Sequence, residues 1–379
     1  MDTASIFSAQ RLLEAVRNET GLDDFGPDDF LEPLEVLTET YRRAPLNHRG
    51  VQAKESHLLR QLTTRLQVAD ALRQDPAVVE RTITAPIYVV GLARTGTTLL
   101  YELLALCPGT RTLLQWEGLR PAPVPVPPGL EDPRLVAARR ELAGFDRSPM
   151  AAIHYVGAEL PAEDYLLLQP SLRIVAGEEA VWEPYATWYQ HADQRPAYRY
   201  LATLIRLLDA QRPADRWLMK SPAHLRNLDL LVSEFPDVRF VWTHRDPMAA
   251  IASLCSLFAT AMAPIAPVDP AAIGAAATIG CCIQLERALE VRRRLGEDRF
   301  IDVHYDELVA RPAQLAEQVA THLGLDLTPS TIGALHSHAA DHPQHKHGTH
   351  RYNPADFALD EAEIRDRLSP YLDRFTASV

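Results

Sequence analysis

Over residues 9–16, 30–41 and 51–72, apolar positions recur three and four apart with charges between them. That spacing predicts amphipathic helices, and no strong strand pattern interrupts roughly the first 80 residues. Pro33 falls in the first turn of the second helix, where its missing N–H costs little. The texture changes at residue 85. Residues 86–90, PIYVV, form a short β-branched and aromatic run, and a loop of small and hydroxyl residues, 91–98, leads into an apolar helix over 99–106. Residues 217–219 and 238–242 read as two further buried strands, each followed by polar residues and a helix. Residues 300–303 read as a fourth, ahead of a helix over about 313–323. Strands alternating with helices predict an α/β fold, a P-loop-like, mostly parallel sheet flanked by helices. The stretch 121–129, PAPVPVPPG, holds five prolines and reads as a stiff connector. The expected organisation is a helical N-terminal extension over 1–84 and an α/β domain over 85–379. That domain carries a helical insertion at about 121–210 with clustered aromatics, Trp182, Tyr185, Trp188, Tyr189, Tyr198 and Tyr200, which suit either a partly apolar ligand pocket or a packed helical core.

Composition narrows the function. Of 379 residues, 47% are hydrophobic and 23% charged, which is ordinary globular usage, and the formal charge of −12 removes the broad positive field that nucleic acid or anionic lipid would need. Any anionic ligand must be held by a local cluster of donors. Cys107, Cys255, Cys281 and Cys282 have no CxxC spacing, and the first ten residues lack the basic and apolar regions of a signal peptide, so a reducing, cytoplasmic setting is expected. Residues 247–268 carry no charged side chain. The 16 residues between Pro247 and Pro264 would make a helix of about 24 Å, short of the roughly 30 Å of hydrocarbon a span must cross, so a buried helix and no stable membrane insertion are expected.

The most informative segment is Gly91-Leu-Ala-Arg94-Thr95-Gly96-Thr97-Thr98. A strand that ends in small and hydroxyl residues and opens a helix points unpaired N–H groups and a positive dipole end at an anion. Gly96 admits close backbone approach, and Arg94 supplies a forked donor suited to phosphate or sulfate oxygens. The loop is not a Walker A motif, because Thr97 stands where GxxxxGK[ST] requires lysine. Arg245 lies at the end of the VRFVW strand, with Ser253 about two helical turns beyond it. Lys220 and His224 sit in Met-Lys-Ser-Pro-Ala-His after another strand. Glu117 follows Trp116, where partial burial would tune a carboxylate toward base chemistry. The histidine run His336, His338, His342, His345, His347 and His350 lacks an HExxH pattern or a cysteine partner. With Lys346 and Arg351 it reads as an anion-contacting flap or a solvated loop.

These segments together resemble the PAPS-dependent sulfotransferases, in particular the bacterial and protein-tyrosine branch. Residues 91–100 look like the family signature that cradles the 5′-phosphosulfate, with Arg94-Thr95-Gly96-Thr97-Thr98 where cytosolic members carry Lys-Ser-Gly-Thr-Thr. Arg245 and Ser253 match the pair that grips the 3′-phosphate. Lys220 resembles the lysine that meets the sulfate and bridging oxygen, and Pro222 stands in place of the cytosolic members' catalytic histidine. Trp116-Glu117 resembles the glutamate base of the protein-tyrosine branch, Tyr305 the tyrosine that reaches toward adenosine, and Lys346-His347 the flap near the 3′-phosphate. The resemblance implies transfer of a sulfuryl group from PAPS to a hydroxyl or amine of a small-molecule, lipid or glycan acceptor. Adenosine 3′,5′-bisphosphate would be the product, and no metal would be required. Arg94 and Lys220 would carry the bridging-oxygen charge, and Glu117, or else His224, would be the base. A P-loop kinase or NTPase and a non-catalytic nucleotide-binding protein are the alternatives.

Overall fold

In a computed structural model, which describes residues 3–145, 148–152, 156–174, 177–341 and 353–375, five parallel strands form one sheet. Four grow from the apolar runs: β1 (Ile87–Val90), β3 (Arg216–Lys220), β4 (Arg239–His244) and β5 (Phe300–His304). The other, β2 (Thr110–Arg111), is too short to leave a periodic trace in the sequence. The order is β2-β3-β1-β4-β5. All four residues of β1 are buried, as a strand covered on both faces requires.

Along β1 the side chains alternate between two cores. Ile87 and Val89 pack with Leu100, Tyr101 and Leu104, whereas Tyr88 and Val90 pack with Met248, Ile251 and Leu254. The helices are α1 (Ala9–Thr20), α2 (Leu31–Arg43), α3 (His48–Gln74), α4 (Thr97–Leu104), α5 (Arg195–Gln211), α6 (Pro247–Met262), α7 (Pro270–Leu295), α8 (Pro312–Leu323) and α9 (Ser369–Phe375), alongside shorter ones. Thus α4, after β1, and α6, after β4, cover opposite faces of the sheet. The chain leaves the adjacent strands β1 and β4 toward these two faces at their carboxyl ends, where the strand order reverses. Open α/β sheets take their ligands at this place.

The N-terminal helices are not a separate body. Leu12, Leu37, Leu62 and Leu66 share one continuous core with Leu201 and Ile205 of α5. Arg65, fully buried, bonds the carbonyls of Phe25, Pro27 and Pro170 and lies over the rings of Phe30 and Tyr200. The aromatics of the insertion take the second of their two readings and serve the same core: Trp182, Tyr185 and Tyr198 are buried in it, and Trp188, Tyr189 and Tyr200 pack against it.

Candidate functional site at the carboxyl rim of the sheet

The loop between β1 and α4 is built by close approach. A side chain at Gly91 would meet the Thr243 hydroxyl at 2.3 Å, so only glycine lets β1 leave the sheet beside β4. Gly96, at φ 85°, is the N-cap of α4, and a methyl there would press on Leu308 and the Tyr305 ring. Arg94 is also left-handed, at φ 72°, a conformation costing roughly 1–2 kcal/mol for a residue with a side chain. Strain of this kind clusters at binding loops, which makes the turn a candidate for one. Thr95 is buried and works inside the loop, donating to the Leu92 carbonyl and meeting the Thr243 hydroxyl at 2.6 Å. Thr97 is buried as well, and Thr98 is exposed.

The second segment is brought directly to this loop. The Arg245 guanidinium donates to the Arg94 carbonyl at 2.7 Å and lies 4.1 Å from the centroid of the Tyr305 ring. Arg94 Nε donates to Ser253 Oγ at 3.1 Å. Five of the residues singled out in the sequence, Arg94, Gly96, Arg245, Ser253 and Tyr305, therefore converge. The contact holds the Arg94 side chain against Ser253.

Lys220 closes the other end of the rim. Nearly buried at the last position of β3, its ammonium lies 2.6 Å from Glu163 Oε1 and 3.3 Å from Thr98 Oγ1, and 5.7 Å from the centroid of the Tyr101 ring. Glu163 was not legible in the sequence. It sits 57 positions from Lys220, and its only local mark is the acidic doublet Glu163-Asp164 ahead of a leucine run. The structure brings the doublet to the rim by a backbone bond from Asp164 N–H to the Lys220 carbonyl.

His224 does not face this rim. It is fully buried, with Nε2 donating to Asp164 Oδ2 at 2.9 Å and Nδ1 3.0 Å from the Tyr198 hydroxyl, and its ring meets the ring of Tyr88 edge-on. It orients the segment that carries Glu163.

Glu117 is likewise placed away from the other candidates. It is buried, but its carboxylate is already used: Arg111 donates at 2.9 Å, Arg212 at 3.2 Å, and the Leu114 N–H at its own helix start at 3.0 Å. Arg111 is paired with Trp217, three residues or about 10 Å down β3 from Lys220. Burial pulls Arg111 down to about 10, against the raising effect of Glu117, so it stays charged at neutral pH. Both Glu117 oxygens accept hydrogen bonds within this cluster. The expected base position thus holds a structural ion pair.

Lys346, His347 and the rest of the run from His342 to His350 lie outside the described residues, while His336 and His338 pair with Glu317 and Glu102. All four cysteines are buried free thiols, and burial raises each of them, so they are unreactive at neutral pH.

His244, at the end of β4, gives a stability test. Burial holds it at about 4, although its bond to Asp302 pulls the other way. A histidine with a folded pKa below its unfolded value of about 6.5 binds its proton more readily in the unfolded chain. Its contribution is complete above pH 6.5 and is lost as pH falls toward 4. Asp302 has the opposite sense: burial pushes it up, but Arg292 and His244 outweigh that and hold it well below the usual range, so its contribution persists to lower pH. Urea midpoints are expected to be flat from pH 8 to 7 and to fall below 6.5, with His244 contributing up to about 1.4 kcal/mol per pH unit. Equal midpoints at pH 7 and 5 would contradict a neutral, buried His244.

Fold and rim together define an α/β protein whose described residues gather Arg94, Arg245 and Lys220 around the loop at the strands' carboxyl ends. The sulfotransferase family profile matches residues 86–329, and the chain belongs to that family. The chain is similar in structure to the sulfotransferase STF9 of Mycobacterium avium, with a TM-score of 0.88, 26% identity, and coverage of 98% of this chain and 97% of the other. It is also similar to STF1 of Mycobacterium tuberculosis, with a TM-score of 0.83, 31% identity, and coverage of 96% and 98%. In sequence it is 27% identical, over 82% of its length and 79% of the relative's, to the omega-hydroxy-beta-dihydromenaquinone-9 sulfotransferase Stf3 of Mycobacterium bovis. The protein is a sulfotransferase.

Proposed function

We propose that the protein transfers the sulfuryl group of PAPS to the hydroxyl of a small, lipid-like acceptor, with Glu163 as the base. The observation that carries this reading is the continuity of the rim: Lys220 with Glu163 and Thr98 at one end, and Arg94 with Ser253 and Arg245 at the other, joined by the loop around Gly96. In this reading the loop N–H groups and the N-terminus of α4 hold the 5′-phosphosulfate. Arg245, Ser253 and Arg94 take the 3′-phosphate, and Tyr305 lies against the loop where adenosine would rest. The acceptor oxygen attacks sulfur as the bond from sulfur to the 5′-phosphate oxygen breaks. Glu163 takes the acceptor proton, and Lys220 stabilises the charge left on the leaving oxygen. In this reading Glu163, paired with the rim lysine Lys220, takes the place of Glu117, which pairs with Arg111 and Arg212, and of His224, which is buried against Asp164 and Tyr198.

The lipid-like acceptor rests on two supports. The Stf3 relative acts, by its name, on a hydroxylated menaquinone. In addition α6, which presents Ser253, continues through half-buried Leu257 and Phe258 with no charged side chain. No further cofactor is invoked, and a cytoplasmic setting is part of the same proposal.

Adenosine 3′,5′-bisphosphate is expected to raise the thermal midpoint, since a ligand at about 100 times its Kd adds about 2.7 kcal/mol. Transfer of ³⁵S from PAPS should favour long-chain alcohols over phenols, glycans and peptides. A bisphosphate that leaves the midpoint unmoved would refute the nucleotide site, and a preference for peptides or glycans would refute the acceptor class.

A further inference from the structure

Three consecutive residues at the end of β4 are held by the C-terminal segment. The Tyr371 hydroxyl, buried at the start of α9, donates to His244 Nδ1 across 3.1 Å and faces the backbone N–H of Arg245. The Phe375 ring stacks on the His244 imidazole, with centroids 3.9 Å apart and planes 11° from parallel. Arg365 donates to Asp246 at 3.0 Å, and Asp246 in turn caps α6 by accepting from the Met248 N–H at 2.8 Å. Behind His244 the chain of partners continues: Nε2 donates to Asp302 at 2.8 Å, and Arg292 of α7 clamps both oxygens of Asp302 at 2.6 and 2.8 Å. Arg367 and Arg374 fasten the same segment to Glu286 and Glu297.

Arg245 is the residue between these anchored neighbours. Its guanidinium is half-buried and reaches the Arg94 carbonyl and the Tyr305 ring, so its direction depends on where the backbone leaves β4. A few tenths of an ångström at Cα become a larger displacement at the end of a long side chain, and forked recognition of an oxyanion tolerates little of it. We infer that the C-terminal segment, through the Tyr371 hydroxyl and the Phe375 ring, is a positioning strap that sets Arg245 for the donor's 3′-phosphate. The inference rests on the proposed anchoring role of Arg245 and adds positioning residues more than a hundred positions away in the chain. Tyr371 bonds His244 and faces the Arg245 backbone, and on this inference it acts through Arg245.

The test measures affinity for adenosine 3′,5′-bisphosphate and for adenosine 5′-monophosphate, which lacks the 3′-phosphate, in the full chain and in Tyr371→Phe, Arg245→Ala and the double variant. Tyr371→Phe is expected to weaken bisphosphate binding about tenfold, to leave monophosphate binding within about twofold, and to add nothing in the Arg245→Ala background. Its turnover at saturating PAPS should match the unaltered protein, with the change confined to the KM for PAPS. If Arg245→Ala weakens the bisphosphate selectively and Tyr371→Phe does not, or weakens both nucleotides alike, the strap is refuted while the anchoring role stands. If Arg245→Ala itself spares bisphosphate affinity, the anchoring role fails first, and the strap with it. Phe375→Leu, read in the same way, replaces Tyr371→Phe should the latter not fold.

Discussion

Turnover of Glu163→Gln is expected to fall by about 10²–10⁴, the span typical of removing a general base, with the KM for PAPS little changed. Glutamine keeps the size of the side chain and a contact for Lys220, but it cannot take the acceptor's proton. The loss should therefore appear in kcat and shrink for acceptors whose hydroxyl is already acidic. Glu117→Gln makes the contrast. It weakens the buried pair with Arg111, so a stability loss on the order of 3 kcal/mol is expected, with turnover per folded molecule retained. The pair of measurements decides between the two carboxylates. Should Glu117→Gln abolish turnover in folded protein while Glu163→Gln spares it, the base is the one the sequence pointed to.

Arg245→Ala is expected to raise the KM for PAPS about 10–100-fold and to leave the acceptor's KM within a few-fold, since a charge-assisted bond to phosphate contributes roughly 1.5–3 kcal/mol. The substitution also removes the donor to the Arg94 carbonyl, so the strained loop loses a brace. Arg245→Lys separates the two effects: it restores charge without the fork, and recovery of less than half of the lost affinity would assign the remainder to geometry. Added salt should weaken donor binding to the unaltered protein more than to Arg245→Ala, because screening acts on the charge that alanine lacks. Equal rises in both KM values would contradict a donor-specific anchor.

Some of this was readable before any coordinates, for a specific reason. A buried parallel strand must be apolar along its whole length, and a tight strand-to-helix turn calls for glycine and small hydroxyl residues, so 86–90 and 91–98 declare themselves locally. Arg245 and Ser253 were legible in the same way, since a strand end and two helical turns fix their separation. The proline-rich and aromatic stretches were readable as elements but not as roles: the aromatics of 182–200 were candidates for an acceptor pocket, yet most of their surface fills the core shared with the N-terminal helices.

The proposed base illustrates the limit. Glu117 beside a tryptophan has the composition of a tuned carboxylate, and nothing nearby in the chain announces that Arg111 and Arg212 occupy it. Glu163 carries almost no local signal, because its partner Lys220 comes from a strand 57 residues later. The amino-acid sequence on its own determined the class of sheet, the loop between β1 and α4 and the residues at the strand ends, all consequences of short-range periodicity and turn chemistry. Which carboxylate reaches the rim, which histidine is buried behind it, and how the C-terminal helix holds the end of β4 were decided only by tertiary structure. Charge pairs and packed rings join residues by their distance in space, and the linear order of the chain does not encode that distance.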